Sequence, residues 1–170
     1  MKTIRQGCFE TNSSSTHAIT IPRNNNDIPK LPRIYFEISD FGWEYGKHDL
    51  KDYIWTAICD CYPNDYEEYK NKLIELLTPY YEVIEFQEPD FQESYDDEGN
   101  LEWRHLNTSC GYVDHCEELK EFLEDILSNS GLLLDALRCG YVRTGNDNAD
   151  GYEYDDLTDN ENCYHYYKGN

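Results

Sequence analysis

The sequence predicts an α+β fold, a single domain in which about four helices pack on a mixed or antiparallel sheet. Three observations carry that expectation. Strand-like alternation with β-branched residues occurs near both ends of the chain, three central stretches repeat apolar residues at helical spacing, and Gly and Pro punctuate the segments between them. The 170 residues are enough to bury one sizeable core.

Lys2–Cys8 reads as a short strand, and His17–Pro22 as a second one that alternates and is ended by its proline. Arg23–Pro32, with its Asn and Pro residues, reads as a loop, and Ile34–Ile38 as a third strand. Leu50, Tyr53, Ile54, Ala57, Ile58 and Cys61 recur at helical spacing, with Asp49 as N-cap and Pro63 as terminator. Asn64 can open a second helix, whose stripe of Tyr66, Tyr69, Leu73, Leu76 and Leu77 runs to Pro79.

Tyr81–Phe86 is then a strand, and Asp97-Glu98-Gly99-Asn100 the turn of a hairpin returning along Leu101–Leu106. A third helix is expected over His115–Ser128, burying Leu119, Phe122, Leu123, Ile126 and Leu127. Gly131 is read as its break, Leu132–Arg138 as a short fourth helix stopped by Gly140, and Tyr141–Thr144 as the last strand. Residues 1–148 form the expected domain, with a polar loop at 9–17. Residues 149–170 form an acidic, tyrosine-rich tail whose aromatics argue for partial docking.

Charge restricts the partners. The formal net charge is -21. The first 34 residues hold Lys2, Arg5, Arg23, Lys30 and Arg33 against Glu10 and Asp27, a net of +3, so the remainder carries -24. Residues 82–102 contain nine Asp or Glu, residues 144–161 contain seven, and neither stretch has a lysine. Such charge keeps a protein soluble and opposes binding to free DNA or an anionic membrane. A basic protein surface is its complement. The acids are read either as ordinary solvated faces or as an array imitating the nucleic-acid backbone, where charges along a strand lie about 3.4 Å apart. Glu93, Asp96, Asp97, Glu98, Asp155 and Asp156 are the expected partner-binding residues in the second case.

Seven cysteines at 8, 59, 61, 110, 116, 139 and 163, with no leader-like or membrane-spanning run, fit a reducing cytoplasm and free thiols. Cys59, Cys61, Cys110, His115, Cys116, Cys163 and His165 lack the paired spacing of a zinc site, so no metal ligand set is assigned. Phosphate-binding glycine loops and metalloprotease signatures are absent as well.

The run Phe9-Glu10-Thr11-Asn12-Ser13-Ser14-Ser15-Thr16-His17 has no apolar period and sits in the only net-positive region. One reading is a serine-rich turn between strands with a satisfied histidine. The other is an anion site. Arg5, Asn12, Ser13, Ser14, Ser15 and Thr16 would supply donors, Glu10 and His17 would act as acid and base, and Asn146 and Asp147 would complete the pocket. The stretch Thr144-Gly145-Asn146-Asp147-Asn148 reads first as a tight turn. It is also compatible with a divalent cation on oxygen ligands; no other cofactor is expected.

The opening Arg5-Gln6-Gly7-Cys8 followed by FETNSSSTH and Ala18-Ile19 resembles the start of a group of small phage and mobile-element proteins, with a weaker echo at Thr144–Asn148. The resemblance covers about 15 residues and implies that setting rather than a reaction. In size and charge the chain is also similar to the acidic proteins, anti-CRISPR proteins among them, with which phages block host defences. Two functions follow. The first is a counter-defence inhibitor occupying the basic nucleic-acid channel of a host protein such as a nucleic-acid-guided nuclease. The second is a phosphodiesterase or nuclease using the Glu10–His17 loop, in one version on RNA bound to that partner.

Overall fold

The computed structural model describes residues 15–23, 30–42, 44–146 and 163–168. Lys2–Cys8 therefore lies outside the described residues. Ser15–Pro22 forms β1, Leu31–Phe36 β2, Asp40–Phe41 β3 and Gly46–Asp49 β4. Helices α1 (Leu50–Cys61) and α2 (Tyr66–Leu77) follow, then β5 (Tyr81–Phe86), β6 (Phe91–Tyr95), β7 (Leu101–Leu106) and β8 (Tyr112–Val113). A 3₁₀ turn, Cys116–Leu119, leads into α3 (Lys120–Ser128) and α4 (Ser130–Cys139), and β9 (Tyr141–Asn146) and β10 (Cys163–Lys168) complete the described chain. This is an α+β fold.

The principal sheet has the order β10-β1-β9-β4, and each neighbouring pair is antiparallel. β1 is central, and every residue from Ser15 to Ile21 is buried. Its alternating side chains divide between two covered faces, and His17, Ile19 and Ile21 fall on the same one. Against the sheet lies α1, whose Leu50, Tyr53, Ile54, Trp55, Ala57, Ile58 and Cys59 are all buried. A helix apolar on nearly every side belongs in the interior. The Trp55 indole still finds a partner, donating to the Gln87 carbonyl at 2.9 Å. By contrast α2 buries only Leu73 and Leu77 and is peripheral.

Several sequence boundaries are corrected. β9 runs through Gly145 to Asn146, where a turn from Thr144 is expected, and it is not the last strand. The third strand spans Leu31–Phe36 rather than Ile34–Ile38, so Pro32 belongs to a strand. Leu31 N–H donates to the Tyr80 carbonyl at 2.8 Å, and alternation turns the Pro32 nitrogen away from β5, where its missing hydrogen costs nothing. The strand stops at Phe36 because side chains take over the next backbone donors. Glu37 N–H goes to Asp52, Ile38 N–H to Gln87 and Ser39 N–H to Thr56, at 2.8, 3.0 and 3.0 Å.

The break between α3 and α4 is made by Asn129, not Gly131. Asn129 is extended, and its side chain accepts from Gly131 N–H at 3.0 Å and Leu132 N–H at 3.1 Å, which places Gly131 inside α4. The polar loop also ends earlier than residue 17. Ser15, Thr16 and His17 are strand residues, opposite Asn146, Gly145 and Thr144 of β9.

At the chain's other end, β10 runs along β1 from His17↔Lys168 to Pro22↔Cys163. Tyr166 meets Phe122 edge-on at 5.1 Å, and its hydroxyl donates to Asp125 at 2.7 Å. Burial and then that carboxylate push the phenol's pKa up.

Candidate functional site: a cavity beside the buried histidine of β1

His17 is completely buried. Its Nδ1 lies 2.8 Å from the Tyr53 hydroxyl and its Nε2 is 3.3 Å from the Gly42 carbonyl. A carbonyl can only accept, so Nε2 carries the proton and Nδ1 accepts from the phenol. Burial, followed by the nearby Cys61 and Cys116, pushes the Tyr53 pKa well up, which keeps that phenol a donor. Both ring nitrogens are thus engaged, and Gly42, whose carbonyl faces Nε2, also lines the neighbouring cavity.

That cavity measures about 140 Å³ and is lined by Asp40, Gly42, Glu44, Tyr45, His48, Tyr112 and Thr144. Its volume is comparable with cavities that admit a benzene-sized group. Two glycines shape it. A Cβ at Gly42 would meet the Tyr112 hydroxyl, and one at Gly46 would run into the His48 ring. Thr144 Oγ1 donates to the Glu44 carbonyl at 2.6 Å and so accepts from His48 Nε2–H at 3.2 Å. Behind them a row of edge-on rings, His48 to Phe41 at 5.3 Å and Phe41 to Tyr53 at 5.0 Å, ties the cavity wall to the core.

The cavity is electrostatically negative. Burial, and then Glu44, raise the Asp40 pKa. Burial, Asp40, Asp114 and Glu44 together raise that of Tyr112. Its described lining contains no lysine or arginine. A carboxylate pair with phenols and one imidazole suits a cationic or neutral polar group, and it opposes a bare phosphate.

The two constellations singled out in the sequence do meet here. The β1–β9 register sets His17 against Thr144 and Ser15 against Asn146. Ser15 and Thr16 are buried with their strand. Arg5, Glu10, Asn12, Ser13, Ser14, Asp147, Asp155 and Asp156 lie outside the described residues. Sequence reasoning missed Asp40, Glu44, His48, Tyr112 and Tyr53. The signal available was Gly42-x-Glu44-Tyr45-Gly46-x-His48, paired glycines around polar groups just before a helix.

The acidic stretch before Leu101 divides into two kinds of carboxylate. Glu85 pairs with Arg33, Glu88 with Lys70 at 2.6 Å, and Glu93 with Arg104. Glu93 also accepts from the Tyr95 hydroxyl; that bond and the arginine hold its pKa down. Asp96 ties the hairpin turn together, accepting from Glu98 N–H at 2.9 Å and Asn100 N–H at 2.8 Å, while Gly99 supplies the positive φ of 84°. Asp97 and Glu98 are exposed and have no side-chain partner among the described residues.

Of the described thiols, Cys59 and Cys116 are buried and Cys139 is exposed. Cys59 is buried, which pushes its pKa up, and the Cys61 thiol donates to the Cys116 carbonyl at 2.7 Å. Among the described residues no group of three His, Cys, Asp or Glu side chains is placed to hold a metal ion, and no helix is long and apolar enough to cross a membrane. No family model matches the chain, and neither a curated protein nor a solved structure matches it.

Proposed function

We propose that this protein is a phage or mobile-element inhibitor of the anti-CRISPR kind, which covers a basic nucleic-acid-binding surface of a host nuclease with an acidic, nucleic-acid-imitating face. The observation that carries the reading is the pair of unpartnered carboxylates, Asp97 and Glu98, at the exposed turn of a hairpin within a chain of net charge -21. Carboxylates held in local ion pairs offer little field to a partner, whereas free ones on an outlying turn steer a basic surface at long range. The negative cavity agrees in sign with this reading.

The test is affinity capture from host lysate at roughly 50 and 300 mM salt, followed by nuclease assays on whatever is retained. A nucleic-acid-binding protein should be retained at low salt and released at high salt. Added duplex DNA should compete with it, and its nuclease activity should be inhibited. Retention of a partner that neither salt nor DNA displaces would sink the proposal.

One observation favours a second reading. The register of β1 and β9 sets the end of the FETNSSSTH string against Thr144, which His48 of the cavity contacts, so a hydrolytic site in the cavity would adjoin that string. In that reading the protein is a phosphodiesterase that cleaves RNA held by its partner. His48 is the cavity's imidazole, and Glu10 is the acid that the sequence assigns to that string. The negative lining counts against it unless a divalent cation bridges substrate and carboxylates. RNA cleavage that disappears in both Glu10→Ala and His48→Ala would establish it. Intact RNA in the wild-type complex, with magnesium or manganese supplied, would end it.

A further inference from the structure

We infer that the β6–β7 hairpin is the docking arm of this protein and that it takes an arginine-rich protein surface. The inference rests on the reading of the chain as a binder of basic surfaces and assigns that binding to one element. Among the described residues β6 and β7 pair only with each other. Their base is anchored. Phe91 packs on Tyr66 at 5.1 Å, Leu106 is buried, and Arg104 joins Glu93 and the Pro63 carbonyl.

The outer part stands in solvent. Tyr95 is 56%, Leu101 40% and Trp103 41% exposed. Trp103 and His105 share one face of β7, where their rings lie 5.2 Å apart, while a register shift in the hairpin sets Leu101 against Tyr95 on the other face. Ser94 is opposite Trp103, so the facing strand offers no large side chain to cover the indole. Beyond this aromatic strip the turn carries the free Asp97 and Glu98.

The combination selects its occupant. A guanidinium is flat, stacks on an indole, and receives a carboxylate in a two-point fork; an ammonium does neither as well. Phosphates are repelled by the turn, which excludes nucleic acid as the direct ligand. An exposed tryptophan flanked by opposite charge is also the kind of residue on which interface energy concentrates. If the acids served only to keep a two-stranded arm from pairing with other sheets, the indole would contribute nothing to binding.

The experiment titrates the full chain into labelled oligoarginine and oligolysine peptides of equal length, followed by fluorescence anisotropy at low salt. The variants are Trp103→Ala and the pair Asp97→Asn with Glu98→Gln. A control pair, Glu68→Gln with Glu75→Gln, removes the same formal charge from the exposed face of α2. Circular dichroism confirms that each variant is folded. Oligoarginine should bind several-fold tighter than oligolysine, and Trp103→Ala should weaken it about tenfold. Neutralising the turn should weaken it several-fold, and the α2 control about twofold or less. If the hairpin and control variants lose affinity equally, or the two peptides bind alike, the docking arm is wrong while the basic-surface reading stands. If the wild-type chain binds neither peptide, both are wrong.

Discussion

The start of β1 and the β6–β7 hairpin put polarity to opposite uses. At β1, His17, Thr144 and Tyr53 are withdrawn from water and answered by one another or by backbone, so each group is committed to the fold. On the hairpin the carboxylates stay in water. Glu93 and Asp96 hold the arm's own shape, and Asp97 and Glu98 are left over. Buried polar groups are costly to disturb because a partner is left unpaired in a medium that cannot replace it. Exposed ones are cheap to change, since water takes over. The residues that matter most for stability and those proposed for binding should therefore separate cleanly.

The largest effect is expected from His17→Ala, which empties a fully buried site and orphans the Tyr53 hydroxyl. Urea denaturation should show a loss of about 2–4 kcal/mol. Combining it with Tyr53→Phe should cost less than the two changes summed, because the orphaned group is then gone; strict additivity would break the account of this pair. Thr144→Val comes next, at about 1–2 kcal/mol, since the Glu44 carbonyl and His48 Nε2–H both lose their partner. The His48 ring resonances should then shift by NMR. An unchanged ring signal would remove Thr144 from the cavity's architecture.

A pH experiment sharpens the same contrast. Asp60 is largely buried and accepts from Val113 N–H at 2.9 Å, and burial dominates in raising its pKa. Because the folded pKa lies above the unfolded value of about 3.9, protonation favours the fold. The destabilisation is absent below the unfolded value and is fully present once pH exceeds the folded one. Asp60→Asn keeps an acceptor for Val113 without the charge, so it should gain stability over wild type at pH 7 and lose that advantage toward pH 4. A variant advantage that grew on acidification would contradict the burial argument.

Smaller effects belong to the arm. Asp96→Ala should speed hydrogen exchange at the amides of Glu98 and Asn100 while the amides of α1 stay protected, a local loss with little global cost. Smallest of all, Asp97→Asn with Glu98→Gln should leave the melting temperature within about 2 °C of wild type. A larger shift would mean that these two carboxylates serve the fold after all.

Much of this architecture was legible before any coordinates. The stripes of α1 and α2, the Gly99 turn and the buried face of α3 follow from 3.6-residue spacing and local turn chemistry, which act over a few neighbouring residues. The charge imbalance could be counted directly. What could not be read was partnership. Asn129 rather than Gly131 ends α3 because its side chain happens to reach two amides, and Pro32 enters a strand because its own nitrogen faces away from β5. The cavity was invisible for the same reason: Asp40 and His48 on β3 and β4 meet Tyr112 and Thr144 on β8 and β9, which come much later in the chain.

The amino-acid order by itself determined the element types, the surplus of acid and its concentration after residue 34, and the polarity of the FETNSSSTH string. Only the tertiary structure decided that His17 is a buried hydrogen-bonding group, that the cavity beside it is negative, and that Glu93 and Asp96 are held locally while Asp97 and Glu98 remain free. Local sequence sets backbone preference over a turn or two. Whether a polar side chain meets water or a partner depends on which distant strand is brought against it, and that is settled only when the sheet closes.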